Sequence, residues 1–186
     1  RMMGGGYGRR VTIIAGKGNN GNDGRAAARY LRRRGIRCNI QAPDSPTLPK
    51  SNLVIDAAFG TGFRDSWRPP SQPQCRVLAV DIPSGIDGLT GHDTGSLQAD
   101  TTVTFGALKP GLLLQPGASR SGEIKIVDLG LDIGTSKNNL ITDDDAAKVI
   151  AARSATAHKW TNAVRVVAGS PQMTGAARLV THGALR

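Results

Sequence analysis

The sequence predicts an α/β fold built on a mostly parallel, doubly wound sheet, with the start of a second α/β domain behind it. Short apolar runs rich in β-branched residues recur along the chain, as strands buried on both faces require. The first of them leads through a glycine-rich turn into a helix-forming run, and later ones also end in glycine-rich or acidic turns. The 186 residues suffice for one α/β domain with a sizeable core and part of another.

Residues 11–15, Val-Thr-Ile-Ile-Ala, read as the first strand. Residues 25–34 are strong helix formers and stop at Gly35, a good C-terminal cap. Residues 16–24 lie between them. A glycine-rich turn lets backbone approach an anion, and the helix behind it supplies unpaired N–H groups and partial positive charge. Gly16, Gly18 and Gly21 satisfy G-x-G-x-x-G, the dinucleotide fingerprint, whereas no Gly-Lys-Ser or Gly-Lys-Thr of a Walker A loop follows. Asn19, Asn20, Asn22 and Asp23 exceed what a backbone-only cradle needs; plain turn chemistry is the other reading of them.

Residues 36–40 alternate apolar and polar and read as a second strand, followed by a loop through Pro43, Pro46 and Pro49. Residues 53–57 form a third strand ending in the glycine-rich 59–63. Residues 76–80 form a fourth, ending in Asp81-Ile-Pro-Ser84, and residues 101–105 and 123–127 form two more. In such sheets ligands bind beyond the carboxyl ends of the strands, at a switch point. Residues 16–23, 56–63 and 81–84 therefore belong on one edge and form one site more economically than three.

From about residue 131 the character changes. Residues 132–139 are polar, Thr142 to Asp145 cap a short helix, and residues 163–168 read as a strand opening through a Gly-containing turn into a helix. The chain begins at Arg1 and ends within that helix, so it reads as a fragment of a longer protein.

Composition narrows the partners. The net charge of +10 and the opening Gly-Gly-Gly-Tyr-Gly-Arg-Arg could suggest nucleic acid, but the arginines at 25, 29 and 32–34 have few aromatics among them and read as a solvated helix face. No nucleic acid is expected. No apolar run is long enough to cross a membrane, so none is expected to be involved. Cys38 and Cys75 lack metal-site spacing, which fits a reducing, cytoplasmic setting. His92 and His182 read as surface residues, and Trp67 and Trp160 as packing residues.

Five stretches, AGKGNNGNDG at 15–24, VIDAAFGTG at 54–62, VDIPSGIDG at 80–88, ADTTVTF at 99–105 and LKPG at 108–111, together resemble the YjeF-N family, the NAD(P)H-hydrate epimerases. The tail, His158-Lys-Trp and AGSPQMTGAA at 168–177, resembles the start of the ADP-dependent NAD(P)H-hydrate dehydratase domain. The resemblance implies a Rossmann-like epimerase domain over 1–134 without the family's leading helices, then a linker and the beginning of a dehydratase over 135–186, from which no dehydratase activity is expected. The implied reaction interconverts the R and S forms of hydrated NADH or NADPH (NADHX and NADPHX), so that the ADP-dependent dehydratase can restore NAD(P)H. The implied substrate contacts are Asn19, Asn20, Gly21, Asn22 and Asp23, the loop Gly60, Thr61, Gly62, Phe63, Arg64, Asp65 and Ser66, and Asp81, which is also the catalytic residue. A potassium ion is implied on Asn20, Asp56 and Ser84, and a homo-oligomer is allowed. For Asp56 and Ser84 the residues alone, without the resemblance, favour turn or helix-cap hydrogen bonding.

The family loop carries Gly where this chain has Asn22, and the stretch after Gly62 is only loosely like the family's basic loop, with Arg64 or Arg68 to supply the positive charge. Two other classes stay open on the residues alone. One is a dinucleotide dehydrogenase, for which no acid/base His is evident; the other is a non-catalytic binding module, against which Asn20, Asp56 and Asp81 argue.

Overall fold

Six parallel strands form one sheet, in the order β2-β1-β3-β4-β5-β6, in the computed structural model. They are β1 (Arg10–Ala15), β2 (Arg37–Gln41), β3 (Leu53–Ala57), β4 (Arg76–Val80), β5 (Thr101–Phe105) and β6 (Glu123–Val127). The structure describes residues 7–130, 134, 138–149, 154–158 and 164–185. Two compact units divide the chain, Arg1–Thr135 and Ser136–Arg186, and the sheet is in the first.

Alternation along the buried strands sends side chains to two faces. Val11, Ile13 and Ala15 of β1 and Leu53, Ile55 and Ala57 of β3 pack with Ala28 and Leu31 of the helix α1 (Asn19–Arg33). Ile14, Val54, Val77 and Ala79 point to the other face. There the covering layer is made of loops, whose Trp67, Leu97, Phe59 and Phe63 take the place of a helix. Trp67 is 8% exposed and donates from Nε1 to the Pro43 carbonyl at 2.9 Å, so it is a packing residue.

The helix α1 starts at Asn19, six residues before the expected Arg25. Four Asn or Asp residues and two glycines make this first stretch a poor helix former, and tertiary packing overrides that preference. A Cβ on Gly21 would run into the Gly16 carbonyl oxygen, and one on Gly24 would come within 2.7 Å of the Ala57 Cβ. Both glycines thus let the helix lie directly on the ends of β1 and β3. At the far end the helix stops at Arg34, and Gly35 takes a left-handed φ of 74° while its N–H bonds the Arg32 carbonyl. The connection from β5 to β6 carries a 3-10 turn (Pro110–Leu112) and a short helix α2 (Gly117–Ser121).

The second unit holds two helices among its described residues, α3 (Asp143–Val149) and α4 (Gly175–Ala184). At the start of α3, Asp145 N donates to Thr142 Oγ1 at 3.3 Å and Thr142 N donates to Asp145 Oδ2 at 3.1 Å, the reciprocal capping expected there. Of the expected strand over 163–168, the described part does not form: residues 164–169 take no regular structure and Val167 is exposed. A strand needs a neighbour to satisfy its ladder, and this unit has no other strand among its described residues. Ala163 and Trp160, with Lys159 and residues 131–133 and 135–137 of the expected polar linker, lie outside the described residues. Among the described residues no helix is long and apolar enough to cross a membrane.

Candidate functional site

β1 pairs with β2 on one side and with β3 on the other, so the connections leaving the carboxyl ends of β1 and β3 diverge. This is the switch point at which open parallel sheets bind ligands. A cleft of about 970 Å³ opens there. One wall is the β1–α1 turn, including Asn19, Asn20 and Asp23. The opposite wall is Gly60, Thr61, Gly62 and Phe63, and Asp81 and Lys109 stand at one end. The N-terminus of α1 has no side-chain cap, so its first N–H groups are unpaired by the helix, and its residues Gly18, Asn19 and Asn20 line the cleft.

Behind the cleft lining is a buried polar knot centred on the Phe59 carbonyl, of which Asn20 lines the cleft and Asp56 and Ser84 do not. Asn20 Nδ2 donates to that carbonyl at 2.7 Å and Ser84 Oγ approaches it at 3.1 Å. Ser84 donates to Asp56 from N to Oδ2 at 2.9 Å and from Oγ to Oδ1 at 2.6 Å, and Ala58 N adds a bond to Oδ1 at 3.2 Å. Asp56 is 1% exposed, and this burial pushes its carboxyl above the usual carboxylate range against the opposing pull of those three donors. Asn20 Oδ1 is buried and has no hydrogen-bond partner, a state that costs free energy unless something else meets it. Side chains from α1, β3 and the end of β4 are thereby brought together, although they are far apart in sequence.

Asp81 follows β4 directly and has a left-handed backbone, φ 69°, which for a residue other than glycine costs roughly 1–3 kcal/mol and is found mainly where function requires it. Its N–H reaches across to the Val103 carbonyl at 2.7 Å. The Oδ1 atom lies 2.6 Å from Lys109 Nζ and 3.3 Å from both Thr104 Oγ1 and Phe105 N. Lys109, together with Arg25, is the main residue that sequence patterning does not single out. Patterning puts Arg25 on the solvated helix face, but its guanidinium turns back to donate to the Gly16 carbonyl at 2.8 Å on the cleft wall. The signal for Lys109 is its position four residues past the end of β5, on the same sheet edge as the glycine-rich turns.

The remaining implied contacts are arranged differently. Gly21 is packed beneath the turn on Gly16, and Asn22 is exposed on α1 outside the cleft lining. Arg64 and Asp65 border a separate depression of about 310 Å³, where Arg64 Nη1 lies 3.4 Å from Asp87 Oδ2. Ser66 is exposed beside Trp67 and lines neither cavity. His92 and His182 are exposed.

The sheet order, the glycine-packed turn and the cleft at the switch point define a Rossmann-like α/β protein with an open cleft beyond its strand ends. The model of the YjeF-related protein N-terminus matches residues 2–46 and 37–111, and the chain belongs to that family. It is 31% identical to the bifunctional NAD(P)H-hydrate repair enzyme Nnr of Moorella thermoacetica, with 96% of this chain and 43% of that protein aligned. It is 34% identical to the enzyme of the same name from Mycobacterium tuberculosis, over 98% and 44% of the two chains. With the NAD(P)H-hydrate epimerase of Leuconostoc mesenteroides it shares 35% identity, over 65% and 70%. The chain thus spans less than half the length of the bifunctional relatives. The crystal structure of yeast ynu0, YNL200c, shares the fold, with a TM-score of 0.51 and 23% identity over 76% of this chain and 71% of that one.

Proposed function

We propose that the first unit epimerises hydrated NADH and NADPH, interconverting their R and S forms. The observation that carries this reading is the placement of the Asp81 carboxylate in the same switch-point cleft as the open N-terminus of α1. A dinucleotide diphosphate fits the turn, where α1 N–H groups and Lys17 supply positive charge. Asn19, Asn20 and Asp23 and the 60–63 wall are its proposed contacts, and Asp81 reaches the hydrated nicotinamide.

Inversion at C6 needs no oxidant or reductant. The C6 hydroxyl takes a proton and leaves as water while the ring nitrogen lone pair closes a cationic iminium. Water then adds to the opposite face and gives up a proton. Asp81 relays a solvent proton to the leaving hydroxyl, stands as the carboxylate against the cation, and takes a proton back from the adding water for return to solvent, a general acid/base role worth about 10²–10⁴-fold.

The buried knot fits a potassium ion. Asn20 Oδ1 is an oxygen in need of a partner, and the Asp56 carboxylate and Ser84 Oγ are hard donors beside it. Among the described residues no cluster of three or more His, Cys, Asp or Glu offers a softer metal site. Bound there, the ion supplies positive charge that offsets the buried carboxylate and fixes the 58–63 wall against α1.

We propose residues 135–186 as the beginning of the ADP-dependent dehydratase portion of a bifunctional repair protein, and a reducing cytoplasmic compartment in keeping with the free Cys38 and Cys75. The test is incubation of the full chain with one pure epimer, followed by NMR or chromatography in potassium and then in sodium. Interconversion that is lost in Asp81→Asn supports the reading. An unchanged epimer ratio overturns it.

A further inference from the structure

Lys109 is preset by its neighbour. Pro110 confines the residue before it to extended backbone, and Lys109 has φ −88° and ψ 135°, directing it from the end of β5 toward the end of β4. Its ammonium group has three protons and three acceptors: Asp81 Oδ1 at 2.6 Å, Thr104 Oγ1 at 2.8 Å and the Phe105 carbonyl at 2.8 Å. Only about a fifth of either side chain of the ion pair is exposed, 20% for Lys109 and 19% for Asp81.

The bonds on Asp81 are unevenly divided. Oδ1 receives Lys109, Thr104 Oγ1 and Phe105 N, whereas Oδ2 has no hydrogen-bond partner among the described residues. The carboxylate is therefore held by one oxygen and keeps the other unbonded, in a residue that lines the cleft. We propose that Lys109 is a positioning residue for the proposed epimerisation: it fixes Asp81 through Oδ1 so that Oδ2 alone meets the hydrated ring. This rests on the epimerase reading above. Because every ammonium proton is already engaged, Lys109 acts through Asp81 and does not itself donate to the substrate. Thr104 is the hinge of the arrangement, accepting from Lys109 while donating to Asp81. An ion pair of this length in a half-enclosed site also serves simple stability, so the decisive readouts must separate alignment from folding.

The experiment is steady-state epimerisation by the full chain carrying Lys109→Ala, Lys109→Arg or Thr104→Val, with thermal unfolding of each. Misalignment of a catalytic group costs on the order of 10²-fold. The expectation is a kcat loss of about that size in Lys109→Ala at unchanged KM. Ethylammonium added to the medium should restore part of it, and Lys109→Arg should retain more activity than Lys109→Ala. Wild-type kcat in Lys109→Ala, or a loss confined to KM, overturns the proposal; so does a kcat loss that follows the melting temperature and ignores the added amine. If Lys109→Ala does not fold, Lys109→Arg and Thr104→Val decide: reduced kcat in both at unchanged KM supports the role, and wild-type kcat in both overturns it. A wild-type chain that leaves the epimers untouched overturns the epimerase reading itself, which is a different result from an active wild type with an indifferent Lys109.

Discussion

Ser84 holds both oxygens of the Asp56 carboxylate, with its backbone N–H on Oδ2 at 2.9 Å and its hydroxyl on Oδ1 at 2.6 Å. The two residues are 28 apart in sequence and stand at the ends of neighbouring strands, so the bonds tie the β3 and β4 connections together.

Removing the hydroxyl leaves Asp56 buried with fewer donors, and it also takes away the acceptor of the Phe59 N–H at 2.9 Å. Ser84→Ala should therefore lower stability by about 1–3 kcal/mol, the usual cost of a buried polar group left unmatched. Urea unfolding checks it, and a midpoint equal to that of wild type contradicts it.

A cation in the knot would bind the folded chain and not the unfolded one, so it should raise the melting temperature. Replacing choline chloride by potassium chloride at constant ionic strength should stabilise the wild type, and more than sodium does. The gain should vanish in Asn20→Leu, which lacks the unpartnered Oδ1. Equal melting temperatures in all three salts would count against the site.

Two glycines at the cleft differ in what surrounds them. A Cβ on Gly21 meets the Gly16 carbonyl, whereas one on Gly62 meets nothing within 4 Å. Gly21→Ala should cost at least about 1–3 kcal/mol through overpacking, and Gly62→Ala should stay within about 0.5 kcal/mol of wild type. Chemical denaturation of the pair is an internally controlled measurement of how closely α1 sits on the sheet.

Asp87 Oδ1 accepts from Thr90 N at 2.8 Å, Thr90 Oγ1 at 2.9 Å and Leu89 N at 3.0 Å, and these bonds hold its carboxyl below the usual carboxylate range. A depressed folded-state value means the stabilisation is fully present above the unfolded pKa of about 3.9. It is lost as pH falls through the folded value. Protection of the Leu89 and Thr90 amides against hydrogen exchange should accordingly weaken on acidification below about pH 4, and Asp87→Asn should show less of this pH dependence.

The inner strands β1 and β3 are legible as near-continuous apolar runs buried on both faces, the edge strands β2 and β6 by apolar–polar alternation, and all six expected runs coincide with strands to within a residue or so. The start of α1 is not, because Asn19 to Gly24 are individually poor helix formers and are held helical by contacts with Gly16 and Ala57. The strand expected over 163–168 fails for the complementary reason: a correct local pattern has no partner to pair with. Asn20, Asp56, Asp81 and Ser84 stand out through motif resemblance. Lys109 lies in one of the resembling stretches without a role implied for it, and Arg25 lies in none; what matters in both is where a long side chain turns, and neither periodicity nor composition encodes that.

The loop-built part of the layer over Ile14 and Val54 has a practical consequence for anyone engineering this protein. Phe59 and Phe63, stacked at 4.0 Å between ring centroids, belong at once to the packing over Ile14 and Val54 and to the wall of the cleft. Thermostability and ligand affinity therefore share a lever: a substitution chosen to tighten this layer also reshapes the recognition surface. Selection for one trait should drag the other with it, and residues such as Leu31 and Ile40 on the α1 side offer the freer ground for improvement.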